Sequence, residues 1–180
     1  KVGMYGTSYS GFNSIQLAAE RAPGLAAIIA IYATDDRYTD DVHYLGGALK
    51  WLDLVDYCHY MTPMNTLPPV PELFGDGWRE EWRRRIDDHR PWLFTWLDHQ
   101  RRDGYWEHGS VRPGYDRIAV PTMLIAGWAD GYRNNSLRTA AALREAGVPH
   151  RVLLGPWAHA STASSRPGPR IDPVPEMVRW

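Results

Sequence analysis

The sequence predicts an α/β fold: four strands of a parallel sheet, interrupted by a helical insertion. Three observations predict it. The runs 25–31 and 121–126 are apolar without alternation and bounded by turn residues, as strands buried on both faces of a parallel sheet are. Strand, helix and strand follow one another at both ends of the chain, the order of a βαβ unit. Between them, 34–119 has a different texture, with helical spacings and six of the nine Trp.

Each element follows from its residues. Lys1-Val2-Gly3-Met4-Tyr5-Gly6 reads as a strand running into a turn. A chain that opens on Lys inside a core strand reads as an internal piece of a longer protein. Phe12 to about Arg21 is a helix with Phe12, Ile15, Ala18 and Ala19 on one side, stopped by Pro23-Gly24. The strand 25–31 completes the first unit, 1–33. In the insertion, Asp35, Asp36, Asp40 and Asp41 make an acidic opening. Leu45, Leu49, Leu52 and Val55 are spaced as one helix face, broken at Thr62-Pro63. Trp78, Trp82 and Ile86 mark a short helix, and Pro91 starts another with Trp92, Trp96 and Leu97 toward one side. The core resumes over 120–180. The strand 121–126 leads to Gly127-Trp128-Ala129-Asp130-Gly131. Asn134 or Asn135 caps a helix through Leu143, closed by Gly147. Arg151-Val152-Leu153-Leu154 is the last strand, followed by Gly155-Pro156-Trp157-Ala158-His159. A Ser-, Pro- and Gly-rich loop then runs to Pro175, where a helix begins.

Composition excludes several classes. The 180 residues suffice for one domain with a sizeable core. Twenty Lys+Arg against 21 Asp+Glu give a net charge of −1, so no bulk field draws the chain to nucleic acid or an anionic membrane. One cysteine forbids an internal disulfide or a cysteine-based metal cluster. His43, His59, His89, His99, His108 and His150 show no metal-ligand spacing, and neither standard glycine-rich phosphate loop is present. The expectation is therefore no metal, no organic cofactor, no nucleic acid and no membrane. The compartment is left open, with a slight lean to the cytoplasm.

The chemistry gathers on three residues. Ser8 follows a strand and precedes a helix, with Gly6 and Gly11 at −2 and +3 and the small Ser10 at +2. A sharp strand-to-helix turn that exposes a nucleophile needs small residues there, although Ser10 departs from the regular G-x-S-x-G. Asp130 lies just beyond one later strand and His159 just beyond the next. Sites of parallel α/β sheets form outside the carboxyl ends of the strands, and Ser…Asp…His is the chain order of α/β-hydrolases. His159 would take the proton of Ser8 as it attacks an acyl carbon, and Asp130 would orient the imidazole. The Tyr9 N–H would face the developing oxyanion. Asp35 and Asp36, after the earlier strand, are rival acids.

Gly6-Thr7-Ser8-Tyr9-Ser10-Gly11, Gly127-Trp128-Ala129-Asp130-Gly131 and Gly155-Pro156-Trp157-Ala158-His159 together resemble the three catalytic blocks of the cocaine esterase/X-Pro dipeptidyl-peptidase (S15-like) family. The stretches 35–47 and 91–100 are similar to its helical cap. The resemblance implies an α/β-hydrolase fold, with the C-terminal half of the sheet present and a helical cap inserted between strands. It implies Ser8, Asp130 and His159 as catalytic, with a second oxyanion donor, a tyrosine, before Lys1. It also implies a first half of the sheet and a C-terminal β-sandwich domain that are not in these 180 residues. The four strands would then be neighbours with the Ser8 strand at a raw edge, making the isolated piece poorly stable or inactive.

The expected partner is a small ester, amide or short peptide. An X-Pro dipeptidyl peptidase, an α-amino-acid ester hydrolase and an inactive fragment are the alternatives. Asp41 is similar in position to a carboxylate with which the amino-ester hydrolases bind a substrate ammonium. Its bland reading is a loop residue capping a helix that starts near Val42. Trp128 and Trp157 flank the acid and base and are expected to shape the site. Trp51, Trp92, Trp96 and Trp106 are candidates for an acyl pocket or for insertion core.

Overall fold

A computed structural model describes residues 1–41 and 43–180. In chain order, β1 (Val2–Thr7), α1 (Tyr9–Ala19) and β2 (Leu25–Ile31) form the first strand–helix–strand unit. The insertion opens on a hairpin of β3 (Tyr44–Leu45) and β4 (Ala48–Leu49). It continues through α2 (Trp51–Asn65), α3 (Pro71–Phe74), α4 (Trp78–Asp88), α5 (Trp92–Asp98) and α6 (Gly104–Gly109). Then β5 (Thr122–Gly127), α7 (Arg133–Glu145) and β6 (His150–Gly155) rejoin the core, and α8 (Val174–Arg179) follows the long loop.

The main sheet has the order β1-β2-β5-β6, with every pairing parallel. All four strands therefore end at one rim. The absence of alternation has its expected cause, since β5 is buried at all six positions. Leu124 packs on one face with Ile15 of α1 and Leu143 of α7, while Met123 and Ile125 pack on the other with Tyr32 and Trp157. Each such side chain contributes about 1.5–3 kcal/mol by leaving water. β1 lies at the sheet edge, with Val2 and Tyr5 exposed. Among the described residues, no helix is long and apolar enough to cross a membrane.

The insertion departs from its sequence pattern. Leu45, Leu49, Leu52 and Val55 do not form one helix face. Gly46 and Gly47 both take positive φ, 59° and 82°, and turn β3 into β4 before any helix begins. Such a two-residue turn needs glycine-like freedom at both positions, which no helix would tolerate. α2 starts only at Trp51 and runs through Pro63 to Asn65, because a proline this close to the end removes only a last-turn bond. The helix start expected near Val42 lies outside the described residues. α1 begins at Tyr9, three residues earlier than its apolar pattern. α7 is preceded by Tyr132 rather than capped by an asparagine. Asn135 is buried within it, accepting from the Thr34 hydroxyl and the Asp35 N–H.

α1 packs closely because Gly11 faces β2. A Cβ at Gly11 would lie 2.8 Å from the Gly6 carbonyl oxygen and 3.0 Å from the Ile31 backbone, with no side chain able to yield. Gly11→Ala is expected to lower stability by about 1–3 kcal/mol through overpacking. Urea unfolding monitored by tryptophan fluorescence measures it, and an unchanged midpoint would contradict this packing.

Candidate active site

Ser8 sits between the end of β1 and the start of α1, with φ 60° and ψ −127°. A residue bearing a Cβ is strained there by about 1–3 kcal/mol. The surroundings hold it in place. The Ser8 N–H donates to the Ile31 carbonyl at 2.8 Å, and the Ser8 carbonyl accepts from the Phe12 N–H at 3.0 Å. Gly6 leaves room for the turn, since a Cβ there would meet the Ser10 backbone at 2.4 Å. The result is a half-buried hydroxyl at the rim.

Asp130 and His159 reach the same place from neighbouring strands. The loops after β5 and β6 are joined by two backbone hydrogen bonds, Trp128 N–H to Gly155 O at 2.8 Å and Ala129 N–H to Trp157 O at 3.1 Å. Asp130 closes a tight turn through its N–H to Gly127 O, and its Oδ1 accepts the Tyr132 N–H at 2.6 Å. Its Oδ2 stands 2.6 Å from His159 Nδ1, and His159 Nε2 stands 2.9 Å from Ser8 Oγ. An ionised carboxylate only accepts, so Nδ1 carries the proton and Nε2 is left to accept from the serine. Asp130 is buried, whereas the imidazole of His159 is open to the groove. The rings of Tyr32 and Tyr132 flank that imidazole, with centroids 5.6 and 5.4 Å away. Burial, reinforced by the Asp130 charge, pushes the Tyr32 phenol up to about 12. Burial, and next the Asp41 charge, also raises Tyr132. Both rings stay uncharged beside the imidazole.

The rival acids are committed elsewhere. Asp35 is fully buried and takes the guanidinium of Arg138 through Nε at 3.0 Å and Nη2 at 2.5 Å, with the Tyr115 hydroxyl also on it. Asp36 accepts the N–H groups of Tyr38 and Thr39 and pairs with Arg112 at 3.4 Å. Asp35 fastens the insertion to α7, and Asp36 ties the insertion to itself.

One cavity adjoins the Ser8 hydroxyl, and a second lies next to the first. A groove of about 480 Å³ is lined by Ser8, Asp41, Asp130, Tyr132 and His159 among others. A cavity of about 650 Å³ beside it is walled by Phe12, Trp92, Trp96, Tyr105 and Trp106. Tyr9, Arg37 and Tyr57 line both. As the first residue of α1, Tyr9 has no helical carbonyl to take its N–H. Asp41 lines the groove but is buried beneath it. Its Oδ2 is ion-paired with Arg37 Nε at 3.0 Å and stands 2.8 Å from His43 Nδ1. Burial holds His43 below the ordinary histidine range.

Three expectations need correction. Trp157 does not shape the groove. It is buried against Met123 and Ile125, its indole N–H donating to the Pro169 carbonyl, because the glycines at 127 and 155 open space for it under the rim. Trp128 is exposed and lines neither cavity, and Trp51 is exposed likewise, on the first turn of α2. Sequence reasoning passed over Arg37, His43 and Tyr132. The available signals were the i,i+4 spacing of Arg37 and Asp41 and the place of Tyr132 two residues beyond the acid.

A four-stranded parallel sheet with its polar constellation at the carboxyl rim, and with α/β-hydrolase-type peptidases and esterases as structural neighbours, defines an α/β-hydrolase fold. Residues 1–161 match the family described as X-Pro dipeptidyl-peptidase (S15 family), and the chain belongs to that family. It is 27% identical over 184 residues to the cocaine esterase of Rhodococcus sp. (strain MB1 Bresler), an alignment covering 89% of this chain and 31% of that protein. The chain thus spans about a third of the length of this curated relative. Among solved structures it is similar to an aminopeptidase from a marine sediment Thaumarchaeota archaeon, with a TM-score of 0.63 and 16% identity over 90% of this chain and 29% of that one. An α-amino acid ester hydrolase gives a TM-score of 0.62 and 20% identity, again over 90% and 29% of the two chains.

Removing Arg138 would leave the Asp35 carboxylate buried without its cation. Arg138→Met is expected to cost about 3–5 kcal/mol, and Arg84→Met, at an exposed ion pair on α4, far less. Paired denaturant titrations decide it, and equal losses would show that Asp35 is not a structural anchor.

Proposed function

We propose that Ser8, His159 and Asp130 form the catalytic triad of a serine acyl hydrolase acting on an ester or amide. The carrying observation is the unbroken hydrogen-bond chain from Ser8 Oγ through His159 to Asp130, which starts at a strained strand-to-helix turn. Ser8 Oγ attacks the acyl carbon while its proton passes to His159 Nε2. The developing imidazolium is stabilised by Asp130 through Nδ1–H, and Asp130 keeps its own charge. The Tyr9 N–H, at the start of α1, donates to the oxyanion. The tetrahedral adduct collapses as His159 returns the proton to the leaving alcohol or amine. Water then attacks the acyl-serine by the same route, with Nε2 again taking the proton. The S15 family match and the likeness to a cocaine esterase support acyl transfer, the first toward a peptide bond and the second toward an ester.

A fluorophosphonate probe is expected to label the wild type and not Ser8→Ala. Ester hydrolysis should fall by about 10⁶ in kcat in Ser8→Ala, and by about 10⁴ in Asp130→Asn through the wrong imidazole tautomer. Labelling that persists in Ser8→Ala would end the triad reading. Turnover of an uncharged aryl ester against an Ala-Pro anilide separates esterase from dipeptidyl peptidase.

A further inference from the structure

We infer that Arg37 is a specificity-determining residue whose guanidinium receives a carboxylate of the substrate where the groove meets the aromatic cavity. The inference rests on the proposed hydrolase reading for what the site does, but not for how Arg37 is held. Arg37 belongs to the wall shared by both cavities, and among the described residues it is the one Lys, Arg, Asp or Glu lining the aromatic one. Its guanidinium is fixed from several sides. Nε donates to Asp41 at 3.0 Å, Nη2 faces His43 Nε2 at 3.4 Å, and the guanidinium carbon sits 4.8 Å from the Phe12 ring centroid. Its backbone N–H donates to Ser110 Oγ at 3.0 Å. The side chain retains 21% exposure, so the guanidinium is reachable from the cavities it lines.

The same contacts decide the sign of the ligand. Asp41 is the carboxylate that a substrate ammonium would seek. It is 4% exposed and already engaged by Arg37 at 3.0 Å and His43 at 2.8 Å. Asp53, another acid on the groove wall, is paired with Lys50 at 2.6 Å, and an ammonium seeking Asp41 would face the repulsion of the Arg37 guanidinium beside it. A carboxylate would find donors already oriented, beside aromatic walls that exclude water and strengthen a charge-assisted bond. Because the guanidinium is held before binding, little further ordering opposes the contact. The substrate class is therefore an ester or amide carrying an aromatic group with a carboxylate near it.

The test is binding, which needs no turnover. The protein, expressed with whatever sequence flanks this chain in its gene, is titrated with phenylacetate, phenylacetamide and 2-phenylethylammonium. The fluorescence of Trp92, Trp96 and Trp106 reports occupancy of the cavity they line. Phenylacetate is expected to bind about tenfold more tightly than the ammonium ligand. Arg37→Gln should bring that ratio to about one, and Arg37→Lys should restore part of it. An ammonium ligand that binds as tightly as the carboxylate, a preference unchanged in Arg37→Gln, or no binding by any of the three would overturn the inference. If Arg37→Gln does not fold, the wild-type charge series and Arg37→Lys still decide. Running the titration in Ser8→Ala separates the two readings. Loss of the triad reading appears only in probe labelling, and loss of this one only in the charge preference.

Discussion

Everything at the site depends on one constraint: β1, β5 and β6 run parallel and therefore stop at the same rim. Ser8 and His159, 151 residues apart in the chain, come within 2.9 Å because the turns leaving those strands converge there. The convergence is narrow because the loops after β5 and β6 are zipped by backbone hydrogen bonds. Space for the second loop comes from glycines. A Cβ at Gly127 would fall 2.0 Å from the Trp157 carbonyl oxygen, and one at Gly155 would fall 2.5 Å from its indole. Asp130 and His159 are thus set by the packing of the core beneath them. Trp157 sits two residues before His159 and anchors the histidine loop in that core.

The insertion contributes the walls rather than the constellation. Its own small core of Tyr44, Leu54, Cys58, Trp96 and Trp106 is separate from the sheet core. It is tied to α7 through Arg138, which pairs with Asp35 and Asp40, while Asp36–Arg112 and the Asp35 carbonyl, accepting the N–H groups of Val111 and Arg112, join its two ends. Buried carboxylates are poor sources of net stability but exacting ones for geometry, since each must find its cation. The aromatic cavity so placed lies next to the groove that Ser8 lines, and shares none of Ser8, Asp130 and His159.

The main sheet was legible because its signals are local. Apolar runs flanked by turn residues read as buried strands, and both β2 and β5 lie where they predict; β5 is buried on both faces, whereas β2 buries only Ile28 and Ala30 fully, on one face. Ser8, Asp130 and His159 were legible from position alone, each at a strand end and in a known chain order. The insertion was harder because helical spacing there is shared by residues that never form one face. Gly46-Gly47 turns the chain between Leu45 and Leu49, and only backbone freedom betrays it. Trp157 was misread because sequence proximity to His159 does not reveal on which side of the rim a side chain lies. Asp41 was seen as a carboxylate at the groove, but its partners Arg37 and His43 could be recognised only once their side chains were placed.

The backbone of Ser8 carries a last consequence. A left-handed φ at a residue with a Cβ is a standing thermodynamic penalty that glycine, one nucleotide change away in a suitable codon, would relieve. Glycine there would relax the turn and disturb none of the contacts made by the main chain. The fold alone therefore gives no reason for a side chain at this position.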